Sequence, residues 1–113
     1  MQRGEIWVAR LNPNKGSEAG KSRPVVVLQA DAILASDLST VLIVPLTTQF
    51  RPAFEPMRIR IAARNRLLKD CYVMVEQTRA IDRSRFGDGP LTTLTTEEMA
   101  AMERSLKAVM GLY

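Results

Sequence analysis

Apolar and polar positions along the chain change period several times. Ile6 to Leu11 alternates loosely, with Trp7 and Val8 inside it, and predicts a strand after the turn at Arg3-Gly4. The stretch "NPNKGSEAGKS" follows, rich in Asn, Gly and Ser, and predicts a loop. Pro24 to Gln29 is a continuous apolar run, the pattern of a strand buried on both faces. Ala30 to Thr40 is mixed and suggests a short helical turn. Val41 to Leu46 is a second apolar strand, and Pro45 within it predicts an edge or a strand end. Thr47 to Pro56 reads as a loop. "MRIRIA", Met57 to Ala62, alternates cleanly, with Met57, Ile59 and Ile61 on one face and Arg58 and Arg60 on the other. Arg64 to Asp70 is a polar connection. Cys71 to Val75 and Thr78 to Ile81 predict two strands or one bent strand, and "RSRFGDGP" predicts turns. The last segment predicts a helix. Thr95 and Glu98 fit a capping box, and Met99, Met102, Leu106, Val109 and Met110 recur on one face. Short strands followed by one helix predict a small, mainly β fold: a strongly bent antiparallel sheet or partly open barrel. Parallel α/β is disfavoured because no helix-length crossover separates the strands.

Composition narrows the chemistry. The 113 residues predict a single domain spanning 1–113. The apolar runs are too short to cross a bilayer, no signal-peptide pattern is visible, and Cys71 is the lone cysteine, which together point to the cytoplasm. There is no histidine. The commonest general base and metal ligand is therefore missing, and neither a metal nor another cofactor is expected. The net charge is +4. From Arg51 to Lys69 six basic residues face one acid, Glu55, which suggests a basic stripe for a polyanion or an acidic partner.

Three clusters carry candidate chemistry. Arg23 precedes Pro24, so its backbone is held extended at the mouth of a strand. Its guanidinium either forks onto an anion or pairs with Glu18 or another surface acid. The loop before it offers Lys15, Ser17, Lys21 and Ser22 as donors. "VPLTTQ" places Thr47, Thr48 and Gln49 just past an apolar strand. "VEQTR" sets Glu76, Gln77 and Arg79 within an otherwise apolar strand pair, where a buried polar group would need a partner.

These clusters, with "RGEIW" and the terminal helix, lie in one order along nearly the whole chain, and that order resembles the MazF/PemK family of toxin endoribonucleases. The resemblance implies an SH3-like barrel related in fold to the CcdB gyrase toxins, assembled as a symmetric dimer. It implies metal-independent cleavage of single-stranded RNA, and an acidic cognate antitoxin whose tail occupies the RNA groove. The family's arginine before proline falls on Arg23, its glutamate on Glu18 and its strand-end threonine on Thr47. Departures are Ala19 where glutamine is frequent, Ser22 where some members carry histidine, and Glu76 where Kid-type members use aspartate.

Without histidine, the expected route uses the substrate's own 2′-hydroxyl, giving a 2′,3′-cyclic phosphate and a 5′-hydroxyl. Arg23 and Thr47 would stabilise the phosphoryl oxygens, and Glu18 or Glu76 would take the proton. Lys15, Lys21, Arg51 and Arg58 would hold phosphates. Thr48, Gln49 and Gln77 would contact RNA, and Phe50, Phe54 and Trp7 are the aromatics available for stacking. The competing expectation is a non-catalytic barrel that acts on a protein, as the CcdB relatives do.

Overall fold

A computed structural model describes residues 1–112. Seven strands form, β1 (Glu5–Arg10), β2 (Ser22–Val27), β3 (Thr40–Thr47), β4 (Arg60–Ile61), β5 (Cys71–Val73), β6 (Arg79–Asp82) and β7 (Thr92–Thr93). Two α-helices join them, α1 (Asp31–Leu34) and α2 (Thr96–Met110). All pairings are antiparallel, in the order β4-β5-β3-β2-β1-β7, with β6 also pairing β3. The result is a strongly bent, half-barrel sheet with a C-terminal helix.

β3 organises the sheet. Its first half, Thr40 to Ile43, pairs with β6, and its end, Leu46 and Thr47, pairs with β5, while its other edge pairs with β2. Pro45 is therefore in a central strand, contrary to the edge expected from sequence. It falls where β3 passes from one partner to the next, and there its carbonyl accepts from the Met74 N–H at 2.9 Å. A residue with no N–H is tolerated at such a changeover because no ladder bond is lost.

The valine run of β2 explains its continuous apolarity. Val26 packs with Ile6, Leu46, Val73 and Met102 in one core cluster. Val25 and Val27 pack with Leu11, Ile43 and Ile81 in a second cluster. One strand thus supplies both faces of the sheet with side chains that each contribute roughly 1.5–3 kcal/mol on burial.

α2 begins as its sequence predicts. The Thr95 hydroxyl accepts from the Glu98 N–H at 3.1 Å, and the Glu98 carboxylate accepts from the Thr95 N–H at 2.8 Å. Met102 is fully buried, and Met99 and Leu106 are partly buried against the same cluster. The apolar stripe then leaves the core, because Val109 and Met110 are exposed. The alternating "MRIRIA" run is also shorter as a strand than expected: only Arg60 and Ile61 pair with β5. Met57 and Ile59 still pack partly buried against the core outside any strand. Between β5 and β6 the chain makes a 3-10 turn at Val75–Gln77, so the "bent strand" is two strands joined by a tight turn.

Candidate active site

The site grows from the sheet register. Val25 pairs with Pro45 at the end of the β2–β3 ladder, and Arg23 and Thr47, each two residues farther along its strand, both line the groove that opens there. On the other side, Arg23 pairs with Ala9 of β1. The half-buried Arg23 guanidinium donates from Nε to the Gly20 carbonyl at 2.9 Å and from Nη1 to the Leu46 carbonyl at 3.4 Å. Among the described residues no carboxylate lies within ion-pairing distance of it. The reading in which Arg23 pairs with Glu18 or another surface acid is therefore not realised. Carbonyls hold Nε and Nη1, and the remaining N–H groups, those of Nη2 above all, stay available for an acceptor.

Around Arg23 opens a groove of about 1250 Å³. Ser17, Glu18, Lys21, Arg23, Thr47, Thr48, Gln49, Glu76 and Gln77, all singled out from sequence, line it. Lys15 does not, although its N–H donates to the Glu18 carboxylate at 2.6 Å and closes the turn that carries Glu18. Arg51, Phe54, Arg58 and Arg79 also line the groove. Met74, Cys71 and Thr78 complete parts of its wall, and their sequence context, inside apolar or strand-end positions, gave no sign of this. Five cationic side chains and two carboxylates face this space, so it is an electropositive cleft.

Loop and sheet are fastened together. Gln77 Oε1 accepts from the Ala19 N–H at 2.5 Å, and Gln77 Nε2 donates to the Ser17 carbonyl at 3.4 Å. Asn14 donates to the Glu18 carbonyl at 3.1 Å, and Asn12 accepts from the Lys21 N–H at 2.9 Å. These asparagines fill the space beside Gly20, where an added Cβ would stand 2.8 Å from Asn12 Oδ1 and collide with Asn14 as well. Glycine is needed there because the backbone passes against the two side chains, and the same residue presents the carbonyl that anchors Arg23.

The two candidate bases differ in their surroundings. Glu76 is gripped by Arg58 through bonds of 3.3 and 2.5 Å, and the Arg58 guanidinium lies 4.5 Å from the centre of the Phe54 ring. Glu18 is exposed and among the described residues carries only the local bond from Lys15. The Thr47 hydroxyl accepts from the Gln49 N–H at 3.2 Å, which leaves its own proton to donate. The Gln49 side chain meanwhile accepts from Arg51 at 2.9 Å. Of the candidate aromatics, Phe50 is exposed and packs against Tyr72 with ring centres 5.3 Å apart, whereas Trp7 packs edge-on against Phe86 beside the second core cluster.

The sequence-derived basic stripe is corrected by the structure. Arg58 pairs with Glu76, Arg60 with Asp70, Arg64 with Glu98 and Arg66 with Asp88. Asp70 stands just past the run and the other partners are folded in from later segments, so a count within the run overstated its free charge. Arg58 in particular is committed to Glu76 and is not an unencumbered phosphate donor.

Residues 2–110 match the family described as PemK-like, MazF-like toxin of type II toxin-antitoxin system. The chain belongs to this family of toxin endoribonucleases. It is 32% identical over 115 residues to the Endoribonuclease MazF of Staphylococcus saprophyticus, covering 100% of this chain and 93% of the relative. Its fold is similar to that of MazF from Deinococcus radiodurans, with TM-score 0.82 at 21% identity, covering 98% of this chain and 96% of that one. It is similar also to a mycobacterial endoribonuclease solved in complex with its cognate antitoxin, with TM-score 0.78 at 20% identity, covering 100% and 97%. Among the described residues no helix is long and apolar enough to cross a membrane.

Proposed function

We propose that the Arg23 groove is the RNA-cleaving site, that it takes single-stranded RNA, and that it cuts by attack of the 2′-hydroxyl on the adjacent phosphorus. The observation that carries this reading is Arg23 itself: a guanidinium fixed by carbonyls, lining the same groove as Thr47, and unpaired by any carboxylate among the described residues.

In this mechanism the bound nucleotide bends so that its 2′-oxygen lies in line with the leaving 5′-oxygen. Arg23 and Thr47 donate hydrogen bonds to the phosphoryl oxygens as charge accumulates there, which is worth most when the donors are already in place. Glu18 accepts the 2′-hydroxyl proton, favoured over Glu76 because Arg58 occupies both oxygens of the latter. As the P–O5′ bond breaks, the leaving 5′-oxygen takes a proton from solvent, and the products are a 2′,3′-cyclic phosphate and a 5′-hydroxyl. Lys21, Arg51 and Arg79 hold flanking phosphates. Ser17, Thr48, Gln49 and Gln77 contact the strand or brace the loop, and Phe50 is a surface on which a base can stack. Lys15 acts indirectly, by fixing the Glu18 turn.

The same electropositive cleft suits the tail of an acidic antitoxin, a partner class supported by the antitoxin complex of the similar mycobacterial endoribonuclease. A homodimer is the proposed working unit, and exposed Val109, Met110 and Leu112 offer apolar surface for a protein contact. The test is incubation of the purified protein with mixed single-stranded RNA in excess EDTA, followed by analysis of the new ends. Cyclic-phosphate and 5′-hydroxyl termini are expected. Intact RNA would overturn the mechanism and favour a barrel that acts on a protein. Glu18→Gln should lower the rate of chemistry far more than Glu76→Gln; the reverse order would reassign the base.

A further inference from the structure

A second depression, of about 460 Å³, lies beside the first and shares Lys21 and Ser22 with it as a common wall. Arg10, at the end of β1, and Arg85, in the 3-10 turn after β6, line it. Arg10 Nη2 donates to the Ser84 carbonyl at 3.1 Å. Arg85 Nη1 donates to the Arg10 carbonyl at 3.1 Å and to the Asn12 carbonyl. Arg10 is thus held by one carbonyl and Arg85 by two through a single nitrogen, and neither lies within ion-pairing distance of a carboxylate among the described residues, as is the case for Arg23. Arg83 makes a useful contrast: its Nε and Nη2 both bond carbonyls around α1, and it lines neither depression. Among the described residues the acid lining the second depression is Asp82, which accepts from the Ser84 N–H at 2.9 Å and the Ser84 hydroxyl at 2.5 Å. Those bonds, and more weakly the charge of Arg85, hold its carboxyl below the ordinary value, so of the two arginines Arg10 offers the less offset charge.

From this arrangement we infer that the second depression is an accessory phosphate subsite, taking the backbone of the same RNA strand beyond the nucleotides seated in the main groove. The inference rests on the main groove being the RNA site. Lys21 lines both depressions and is the bridge between them. It sits at a left-handed φ of 62°, held there by its N–H bond to Asn12 and by its carbonyl, which accepts from the Leu11 N–H at 2.8 Å. A free acidic polypeptide is less well suited than RNA, because a regularly spaced phosphodiester chain can present oxygens to both depressions across that narrow wall.

The experiment uses an RNA blocked by a 2′-deoxy nucleotide at the cut position and shortened one nucleotide at a time from each end. Wild-type affinity should step down when one end is trimmed past the phosphate that reaches Arg10 and Arg85. In Arg10→Gln, long RNA should bind roughly tenfold more weakly, and its slope of log affinity against log salt should fall by roughly 0.7, one single-strand phosphate contact. The trimming step should vanish, and the shortest cleavable RNA should be cut as by wild type. Arg85→Gln should behave alike, but it also removes bonds to two loop carbonyls, so Arg10→Gln is the deciding variant. Equal loss on long and short RNA, or no loss on long RNA, would overturn the subsite. Weaker binding of polyglutamate alone, with RNA binding intact, would reassign it to an acidic protein. If wild type neither binds these blocked RNAs nor cuts their unblocked all-ribose counterparts, the main-groove reading itself has failed, an outcome visible before any variant is made.

Discussion

Two sets of arginines in this chain have the same charge and opposite situations. Arg60, Arg64 and Arg66 lie close together in sequence, and each meets a carboxylate, that of Arg60 a few residues on and those of Arg64 and Arg66 brought from distant segments. Arg23, Arg10 and Arg85 are scattered in sequence, and the fold brings them to two adjoining depressions where their hydrogen bonds go to carbonyls. A carbonyl fixes a guanidinium without neutralising it, whereas a carboxylate removes most of the field it would offer an anion. Density of basic residues along a sequence is therefore a poor guide to where a polyanion binds; the partners decide.

The comparison can be broken most sharply at Arg23. Arg23→Ala should lower cleavage by on the order of 10²–10³ while the thermal transition stays near wild type, since the side chain is outside both core clusters. Near-normal cleavage would remove Arg23 from the chemistry. Gly20→Ala tests whether the carbonyl anchor matters. Collision with Asn12 and Asn14 should shift the loop and cost roughly 10–100-fold in rate, with the fall in kcat and little change in Tm.

The paired set should show the opposite signature. Glu98→Gln removes a doubly bonded partner of Arg64, at 2.5 and 3.0 Å, and weakens the cap of α2. A loss of about 1–2 kcal/mol in stability is expected at neutral pH, with cleavage per folded molecule unchanged. Burial alone would raise the Glu98 carboxyl, but the Arg64 and Thr95 hydrogen bonds outweigh it and hold the group below its ordinary 4.5. Its contribution is therefore present above that value and is lost as pH falls through the depressed folded pKa. Denaturation curves of variant and wild type should converge in that acid range. The smallest effect belongs to Arg60→Gln. That ion pair with Asp70 is well exposed, so both Tm and the salt dependence of RNA binding should stay at wild-type values. A reduced salt slope there would show that the paired stripe does touch RNA.

Much of the fold was legible because local pattern and final environment agree. The capping box at Thr95, the valine run of β2 and the turn-rich loop before Arg23 each form what their residues favour. The misreadings share a cause, which is that the environment came from distant segments. Pro45 looked like an edge residue because sequence does not show that β3 changes partners beside it. "MRIRIA" kept its apolar face but found only two residues' length of partner strand. The stripe of α2 outruns the sheet it packs on, leaving Val109 and Met110 in solvent. For the site, most lining residues were named from sequence, but Met74, Cys71 and Thr78 were not, because they reach the groove only through the turn at Val75–Gln77 and the bend of the sheet.

The Gln77 clamp has a consequence for redesign. One amide ties the loop that carries Glu18 to the turn at Val75–Gln77, so the position of Glu18 is coupled to that turn. Residues farther out on the rim, Thr48 to Phe50 above all, are outside that tie and belong to a surface segment beyond the end of β3. Exchanging that outer segment for sequences from other toxins should therefore retarget which bases are cut while the catalytic frame stays where it is, a modular separation of reading from cutting.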